Sequence, residues 1–277
     1  MGATVGAAAV AAGAKVIWAT HQRSESTHSR AEKAGLSGVE NLPQLVRESE
    51  VILSVCPPHA AFDVAQEVMQ LDFRGLYVDA NAVSPETAFG IASRVTAGGA
   101  SFVDGGIIGP PVKRSGTTRL YLSGVRAREA ADVFEGSWLD ARVLGREPGA
   151  ASAIKMAYAA WTKCSDALLL GIRSLASMAG VDEALVQEWS LSQPQLAGWS
   201  TKAAESSAPK AWRYAGEMKE IAATFGSAGL PTGFHLAAAE IFSRLESFKN
   251  RTESPPALKE VVASLCESSA AHKGRTT

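Results

Sequence analysis

The chain has 277 residues, enough for one large domain or two ordinary ones with a sizeable core. A net charge of -1, with 46% apolar and 20% charged residues, gives no electrostatic footprint for binding nucleic acid or an anionic membrane. Cys56, Cys164 and Cys266 lie far apart, which excludes a CxxC motif and predicts a reducing, cytoplasmic compartment. No apolar run approaches the roughly 20 residues of a membrane span.

Strand-like apolar runs alternate with helical patterns in the first half of the chain. Strands are predicted at 15–19, 50–55, 75–80, 101–104 and 119–123, and helices at 29–34, 42–48, 61–69 and 85–95. Such alternation over short connections predicts right-handed βαβ units and a mostly parallel sheet.

The second half is helical. A long apolar-periodic pattern at 150–180 is followed by helical patterns at 183–191, 208–225, 234–250 and 257–266, and the polar stretch 268–277 is expected to fray. A boundary before the long helix divides the chain into a nucleotide-binding domain, 1–147, and a helical substrate and dimerisation domain, 148–277.

The N-terminus indicates a dinucleotide site. A Gly- and Ala-rich helix beginning at Gly2 runs into a strand, as after the phosphate loop of such folds. The strand carries no acidic residue at its end but is followed by Arg23 and Ser24, which suit a ribose 2′-phosphate. This favours NADP(H) over NAD(H); a solvated loop with an incidental Arg is the alternative.

Further candidate residues follow the next two strands, whose carboxyl ends border the ligand crevice in such sheets. Val55, Cys56 and Pro57, at the end of the first of these strands, are candidate cofactor-binding residues. Asn81, after the second, is a candidate for binding cofactor and substrate, and Ser84 beside it also suits a helix cap. The later segment VDGGIIGPP, 103–111, predicts either an anion-binding loop or a simple turn.

The long helix carries Lys155 and Tyr158 on one face among apolar neighbours. A desolvated Lys can exchange protons near neutral pH, whereas a snorkelling Lys at the helix edge is the alternative. Further along, Glu217, Glu220 and His235 give weak grounds for a metal site, and His235 equally fits a buried packing role.

Taken in order, these segments resemble the β-hydroxyacid dehydrogenase superfamily, which includes 6-phosphogluconate dehydrogenase, hydroxyisobutyrate dehydrogenase and the imine reductases. Met1-Gly2 resembles the end of the family's G-x-G-x-M-G motif. VDANAVSP resembles V-D-x-S-T-x-S-P, with Asn81 in place of a substrate-binding Ser. FVDGGIIGP resembles the substrate loop, with Gly109 at the first Gly of its pair.

GAASAIKMAYA resembles the G-x-G-x-x-x-K-x-x-N-N signature and places Lys155 on the catalytic Lys and Tyr158 on the first Asn. The likeness is greatest to the 6-phosphogluconate dehydrogenase NAD-binding-like subgroup, which has its own helical C-terminal domain. The Tyr158-Ala159 pair and Ile108, in place of the loop Ser, argue against phosphogluconate as the substrate.

The resemblance implies a Rossmann-like doubly wound α/β domain, apparently without its first strand, followed by an all-α domain through which two chains pair. It implies NADP(H)-dependent hydride transfer on a small hydroxy acid or a related carbonyl or imine, with the active site between the domains. A start placed at an internal Met is expected in preference to a genuinely shortened protein.

In this interpretation Lys155 is the general acid/base, and no metal takes part. The substrate-binding residues implied are Asn81, Gly109, Tyr158, Lys163, Glu217 and His235. An imine reductase is an alternative, although that group usually replaces the Lys. A dimeric binding protein without catalysis is another.

Overall fold

The computed structural model describes residues 1–273. The chain forms two compact units, residues 1–156 and 157–277, and the division falls within a long helix. The predicted boundary at 147/148 stays a prediction.

Seven strands form the sheets of the first unit: β1 (Ile17–Ala19), β2 (Ser37–Val39), β3 (Val51–Ser54), β4 (Leu76–Asp79), β5 (Ser101–Ile108), β6 (Arg119–Ser123) and β7 (Asp140–Gly145). β1 and β2 form a parallel pair, and the other five follow the order β3-β4-β5-β6-β7. β5 and β6 are antiparallel, while the remaining neighbours are parallel.

The helices of this unit are α1 (Gly2–Ala11), α2 (Glu25–Lys33), α3 (Leu42–Glu48), α4 (Ala61–Gln70), α5 (Pro85–Ala97) and α6 (Ala127–Asp132). α1 and α6 pack on one face of the five-stranded sheet, and α3, α4 and α5 pack on the other. Leu76 and Val78 of β4 belong to an apolar cluster with α1 and α6, whereas Tyr77 belongs to another with α4 and α5. Because successive strand side chains point to opposite faces, this alternation is that of a doubly wound sheet.

Polar side chains cap the N-termini of two of these helices. Asn41 accepts a hydrogen bond from the Gln44 amide at 3.0 Å, and Ser84 accepts one from the Thr87 amide at 3.1 Å. Ser84 is therefore a helix cap.

The prediction of a loop directly after residue 104 is wrong. β5 continues through Gly105 and Gly106 to Ile108, because β6 pairs with it in the antiparallel register Gly106↔Tyr121. The strands β2 and β7 were not predicted, because Ser37 and Gly38 of β2 and Asp140 and Arg142 of β7 interrupt the apolar signal.

The second unit is all-helical. After α7 (Ala150–Met178), which contains the division between the units, come α8 (Asp182–Ser192), α9 (Leu196–Ser207), α10 (Ala211–Ser227), α11 (Gly233–Ser243) and α12 (Leu258–Lys273). Its core includes the fully buried Met218, Ile221, Phe242, Leu245 and Val261.

Several helical predictions differ from the structure. α2 begins at Glu25, four residues before the predicted start, and α6 and α9 were not predicted. The helix expected to reach residue 250 ends at Ser243 and is followed by a 3₁₀ turn, Glu246–Phe248. α12 continues to Lys273 where fraying was expected, and the rest of that tail, 274–277, lies outside the described residues. Among the described residues, none of the helices has the length and apolar character that crossing a bilayer requires.

Candidate functional site

Asn81 ties together the carboxyl ends of β3 and β4. Its side chain is 2% exposed, and its Nδ2 donates to Ser54 Oγ and to Asp79 Oδ2, each at 3.0 Å. Its Oδ1 accepts a hydrogen bond from the Cys56 amide. Both N–H groups of the amide are thus used inside the protein, and only Oδ1 keeps a lone pair for a ligand. A role for Asn81 in substrate or cofactor binding stays a prediction.

Asp79 is a buried carboxyl group in the same network. Burial raises its pKa to about 7, although the Asn81 backbone and side-chain N–H groups oppose the shift. The negative charge of Asp104 adds to the rise. The strand ends therefore contain a carboxyl group that titrates near neutral pH.

Several predicted cofactor-binding residues lie close together at this edge. A Cβ placed on Gly2 would lie 3.6 Å from Val55 Cβ, so the start of α1 lies against the end of β3. Burial raises the pKa of the Cys56 thiol to about 11, and the positive charge of Arg23 partly opposes this. Arg23 is therefore near enough to Cys56 to act on its charge. Pro57 follows directly and precedes a 3₁₀ turn, Pro58–Ala60.

The start of α1 fits the phosphates of a dinucleotide. It has no side-chain cap and no acidic residue in its first turn. Free amide groups at a helix N-terminus favour an anion, and Arg23 is an exposed cation beside the same edge. Ser24 directly precedes α2, and its Oγ lies 3.0 Å from Ser26 Oγ. The donors present thus suit a phosphorylated nucleotide.

Lys155 is held against β5. The side chain is half-buried, and a Cβ on Gly106 would lie 3.0 Å from Lys155 Cβ and 2.4 Å from Ala151 O. Only glycine at position 106 lets the strand and helix backbones approach so closely. The backbone of β5 therefore fixes the location of the predicted acid/base.

Gly109 has a clear structural role. Its φ is +127°, and an added Cβ would lie 2.3 Å from Thr117 O. Glycine is required there by conformation and by space. Its predicted contact with substrate stays a prediction.

Sequence reasoning missed Asp104. The side chain is 1% exposed and accepts hydrogen bonds from the start of α7. The available signal was an acidic residue that follows directly on the apolar pair Phe102 and Val103, in FVDGG. That position was interpreted only as the entry to a glycine loop.

In the second unit, the structure pairs two of the predicted substrate-binding residues. Lys163 Nζ donates to Glu217 Oε2 in a buried ion pair, and it lies 4.7 Å from the centre of the Tyr214 ring. Burying two charges is favourable only when they are paired, so each holds the other in place.

His235 contacts Cys164 and Phe225. It is 5% exposed, its Nδ1 lies 3.5 Å from Cys164 Sγ, and its ring centre lies 4.1 Å from that of Phe225. Burial lowers its pKa.

Tyr158 is 47% exposed. Within residues 1–273, no three His, Cys, Asp or Glu side chains are grouped to hold a metal ion.

Comparison with known proteins supports a nucleotide-binding first unit. Residues 1–83 match a family described as NADP oxidoreductase, coenzyme F420-dependent, and residues 176–245 match DUF1932, a domain of unknown function. A solved structure, the conserved protein MTH1747 of unknown function, described as similar to 3-hydroxyacid dehydrogenases, is 28% identical. Its match covers 89% of this chain and 93% of that chain, with a TM-score of 0.62.

Two curated relatives also match. An uncharacterized 28.5 kDa protein from the 7S RNA 5′ region of Methanothermus fervidus is 33% identical over 165 residues, 60% of this chain and 63% of that protein. The NADH-dependent oxidoreductase ucdB of Aspergillus ustus is 31% identical over 151 residues, 52% of this chain and 50% of that protein. The chain therefore spans less than two thirds of the length of either relative.

These matches confirm the predicted resemblance to the β-hydroxyacid dehydrogenase superfamily. Together with the strand order, they confirm a Rossmann-like α/β unit followed by a helical C-terminal unit.

Proposed function

We propose that this protein is an NADP(H)-dependent oxidoreductase acting on a small hydroxy acid or the corresponding carbonyl compound. A half-buried Lys155, fixed against the β5 backbone at Gly106, is the observation that carries the proposal. A bound nicotinamide would supply or accept the hydride. The uncapped start of α1 and Arg23 would hold its phosphates.

Lys155 would exchange a proton with the substrate oxygen. Oxidising a hydroxyl group requires a base for its proton, and reducing a carbonyl group requires an acid on its oxygen. Asn81 offers a single acceptor lone pair, so it would accept a hydrogen bond from a substrate hydroxyl group. Lys163 forms an ion pair with Glu217, so it would bind an anionic group of the substrate only after breaking that pair.

Arg23 and Ser24 support NADP(H), whereas the relative ucdB is described as NADH-dependent. A dinucleotide-binding protein without turnover is the second candidate, supported by the internal use of both Asn81 donors. Cofactor binding alone is common to both candidates, so turnover separates them.

A second copy of the chain is the proposed partner. Trp161, Leu168 and Leu175 of α7 are 68%, 62% and 69% exposed and are spaced by seven residues, which places them on one helix face. A contiguous exposed apolar stripe marks an interaction surface, and a helix face of this kind pairs readily with its own copy.

The first experiment titrates the protein with NADPH and with NADH by quenching of tryptophan fluorescence. We expect NADPH to bind more tightly, with the preference largely lost in Arg23→Ala because the guanidinium pairs with the 2′-phosphate. Equal affinities in the wild type would contradict the assignment of NADP(H).

Turnover is then measured in the oxidative direction with NADP⁺ and 3-hydroxyisobutyrate or other 3-hydroxy acids. In the reductive direction it is measured with NADPH and cyclic imines. We expect Lys155→Ala to lower kcat about 10²–10⁴-fold with NADPH affinity unchanged, as loss of a general acid/base does. Full turnover by this variant would exclude the acid/base role. Binding of NADPH with no turnover of any compound would favour the second candidate.

A further inference from the structure

We infer that Asp104 is the positioning residue for Lys155, acting through the first turn of α7. The catalytic consequence rests on the function proposed above; the structural part does not. Asp104 lies on β5, two residues before Gly106, and Lys155 lies one turn beyond the helix residue that Asp104 holds.

Four donors converge on the Asp104 carboxylate. Oδ2 accepts hydrogen bonds from the Gly149 and Ser152 amides, each at 2.9 Å, and from Ser123 Oγ at 3.1 Å. Oδ1 accepts one from Ser152 Oγ at 2.6 Å. A buried carboxylate that accepts four hydrogen bonds is held in a single orientation.

Ser123 of β6 completes the arrangement. Its Oγ accepts a hydrogen bond from the Ala151 amide at 3.1 Å while donating to Asp104. The amide groups of Gly149, Ala151 and Ser152, which an α-helix cannot satisfy internally, are therefore all bound to the sheet. The negative charge of Asp104 also faces the positive end of the helix dipole.

Two residues of β5 thus fix the position of the first turn of α7. Asp104 draws the first turn of α7 towards β5, and Gly106 sets how closely that turn approaches, at Ala151 O and Lys155 Cβ. Lys155 follows Ser152 by three residues, so a shift of the first turn shifts its side chain too. A misplacement of about 1 Å can lower a catalytic rate about 10²-fold.

Three variants test the inference. Asp104→Ala removes all four hydrogen bonds, whereas Asp104→Asn keeps an acceptor for the amide groups and can donate to Ser152 Oγ, while losing the charge. Asn41→Ala is the matched control, because it removes the cap of α3.

Two measurements are made on the full chain. Acetylation of Lys155 by acetic anhydride, followed by mass spectrometry, reports on its surroundings and needs no substrate. Steady-state kinetics with NADP⁺ and 3-hydroxyisobutyrate separate kcat from KM.

We expect Asp104→Ala to accelerate labelling of Lys155 at least threefold and to lower kcat at least tenfold, with KM for NADP⁺ changed less than twofold. Asp104→Asn should reverse a large part of both changes, and Asn41→Ala should leave the labelling rate and kcat at wild-type values. Should Asp104→Ala not fold, a labelling rate in Asp104→Asn above that of the Asn41→Ala control supports the inference.

Unchanged labelling of Lys155 in the Asp104 variants would overturn the inference. If Lys155→Ala retains full turnover, the proposed acid/base function fails, while the labelling rates still decide whether Asp104 positions Lys155. If Lys155→Ala is inactive and Asp104→Ala keeps wild-type labelling and kcat, the function stands and the inference fails.

Discussion

At the scale of single residues, the carboxyl ends of the strands hold their polar groups in a closed set of hydrogen bonds. Asn81 bonds to Ser54, Cys56 and Asp79 at once. The amide therefore joins two strand ends, and any ligand that takes its remaining lone pair contacts a preorganised group. The same network buries Asp79, which has a consequence for stability.

We predict that stability falls as the pH rises from about 4 towards 7. Burial raises the pKa of folded Asp79 to about 7, so in this window the folded chain retains a proton that the unfolded chain releases. This contribution is fully present below pH 4, is lost through pH 7, and has a limiting slope of about 1.4 kcal/mol per pH unit.

Urea unfolding between pH 4 and 8 measures this slope. Asp79→Asn should flatten it, and the exposed Asp63→Asn should leave it as in the wild type. Identical slopes in the wild type and in Asp79→Asn would show that Asp79 does not carry the dependence.

At the scale of elements, β5 and α7 approach so closely that there is no room for a side chain at Gly106. We predict that Gly106→Ala lowers kcat at least tenfold and destabilises the fold by about 1–3 kcal/mol, because the new Cβ would lie 2.4 Å from Ala151 O. The matched control is Gly90→Ala in α5, where a Cβ would lie 3.9 Å from Phe62.

Thermal unfolding and steady-state kinetics of both variants check this prediction. Gly90→Ala should be neutral or stabilising, since alanine is favoured over glycine within a helix. Equal stability and activity in the two variants would mean that α7 can move away from β5 at no cost.

The sequence predicted the elements whose apolar pattern is strong. The prediction of a helix at 42–48 has the bounds that the structure gives α3, where Asn41 caps the start and Pro43 lies in the first turn. The strand β5 was predicted four residues short, because Gly105 and Gly106 indicate a turn locally and only pairing with β6 makes them a strand.

The site was predictable where residue type alone carries the chemistry. Lys155 stood out as a cation among apolar residues, and Arg23 as a cation at a strand end. The link from Asp104 to Ser152 spans 48 residues and depends on tertiary packing, so no local pattern could have indicated it.

At the scale of the whole molecule, we predict a homodimer held through α7. Leu168→Glu places a charge at the centre of the exposed stripe formed by Trp161, Leu168 and Leu175, and it should give a monomer in light scattering coupled to size exclusion. Val125→Glu, at a side chain 69% exposed in the first unit, should leave the wild-type mass unchanged. A monomeric wild type would exclude this interface.

The five-stranded sheet ends in an edge strand. Among residues 1–273, β3 is a terminal strand of this sheet, and its strand partner is β4. Its residues Val51, Ile52 and Leu53 are apolar, and an uncharged edge of this kind is a template for strand addition between molecules. Concentrated stocks should therefore develop aggregates with the infrared amide absorption of intermolecular β-structure, a form of self-association that dilution will not reverse as it would a helical dimer.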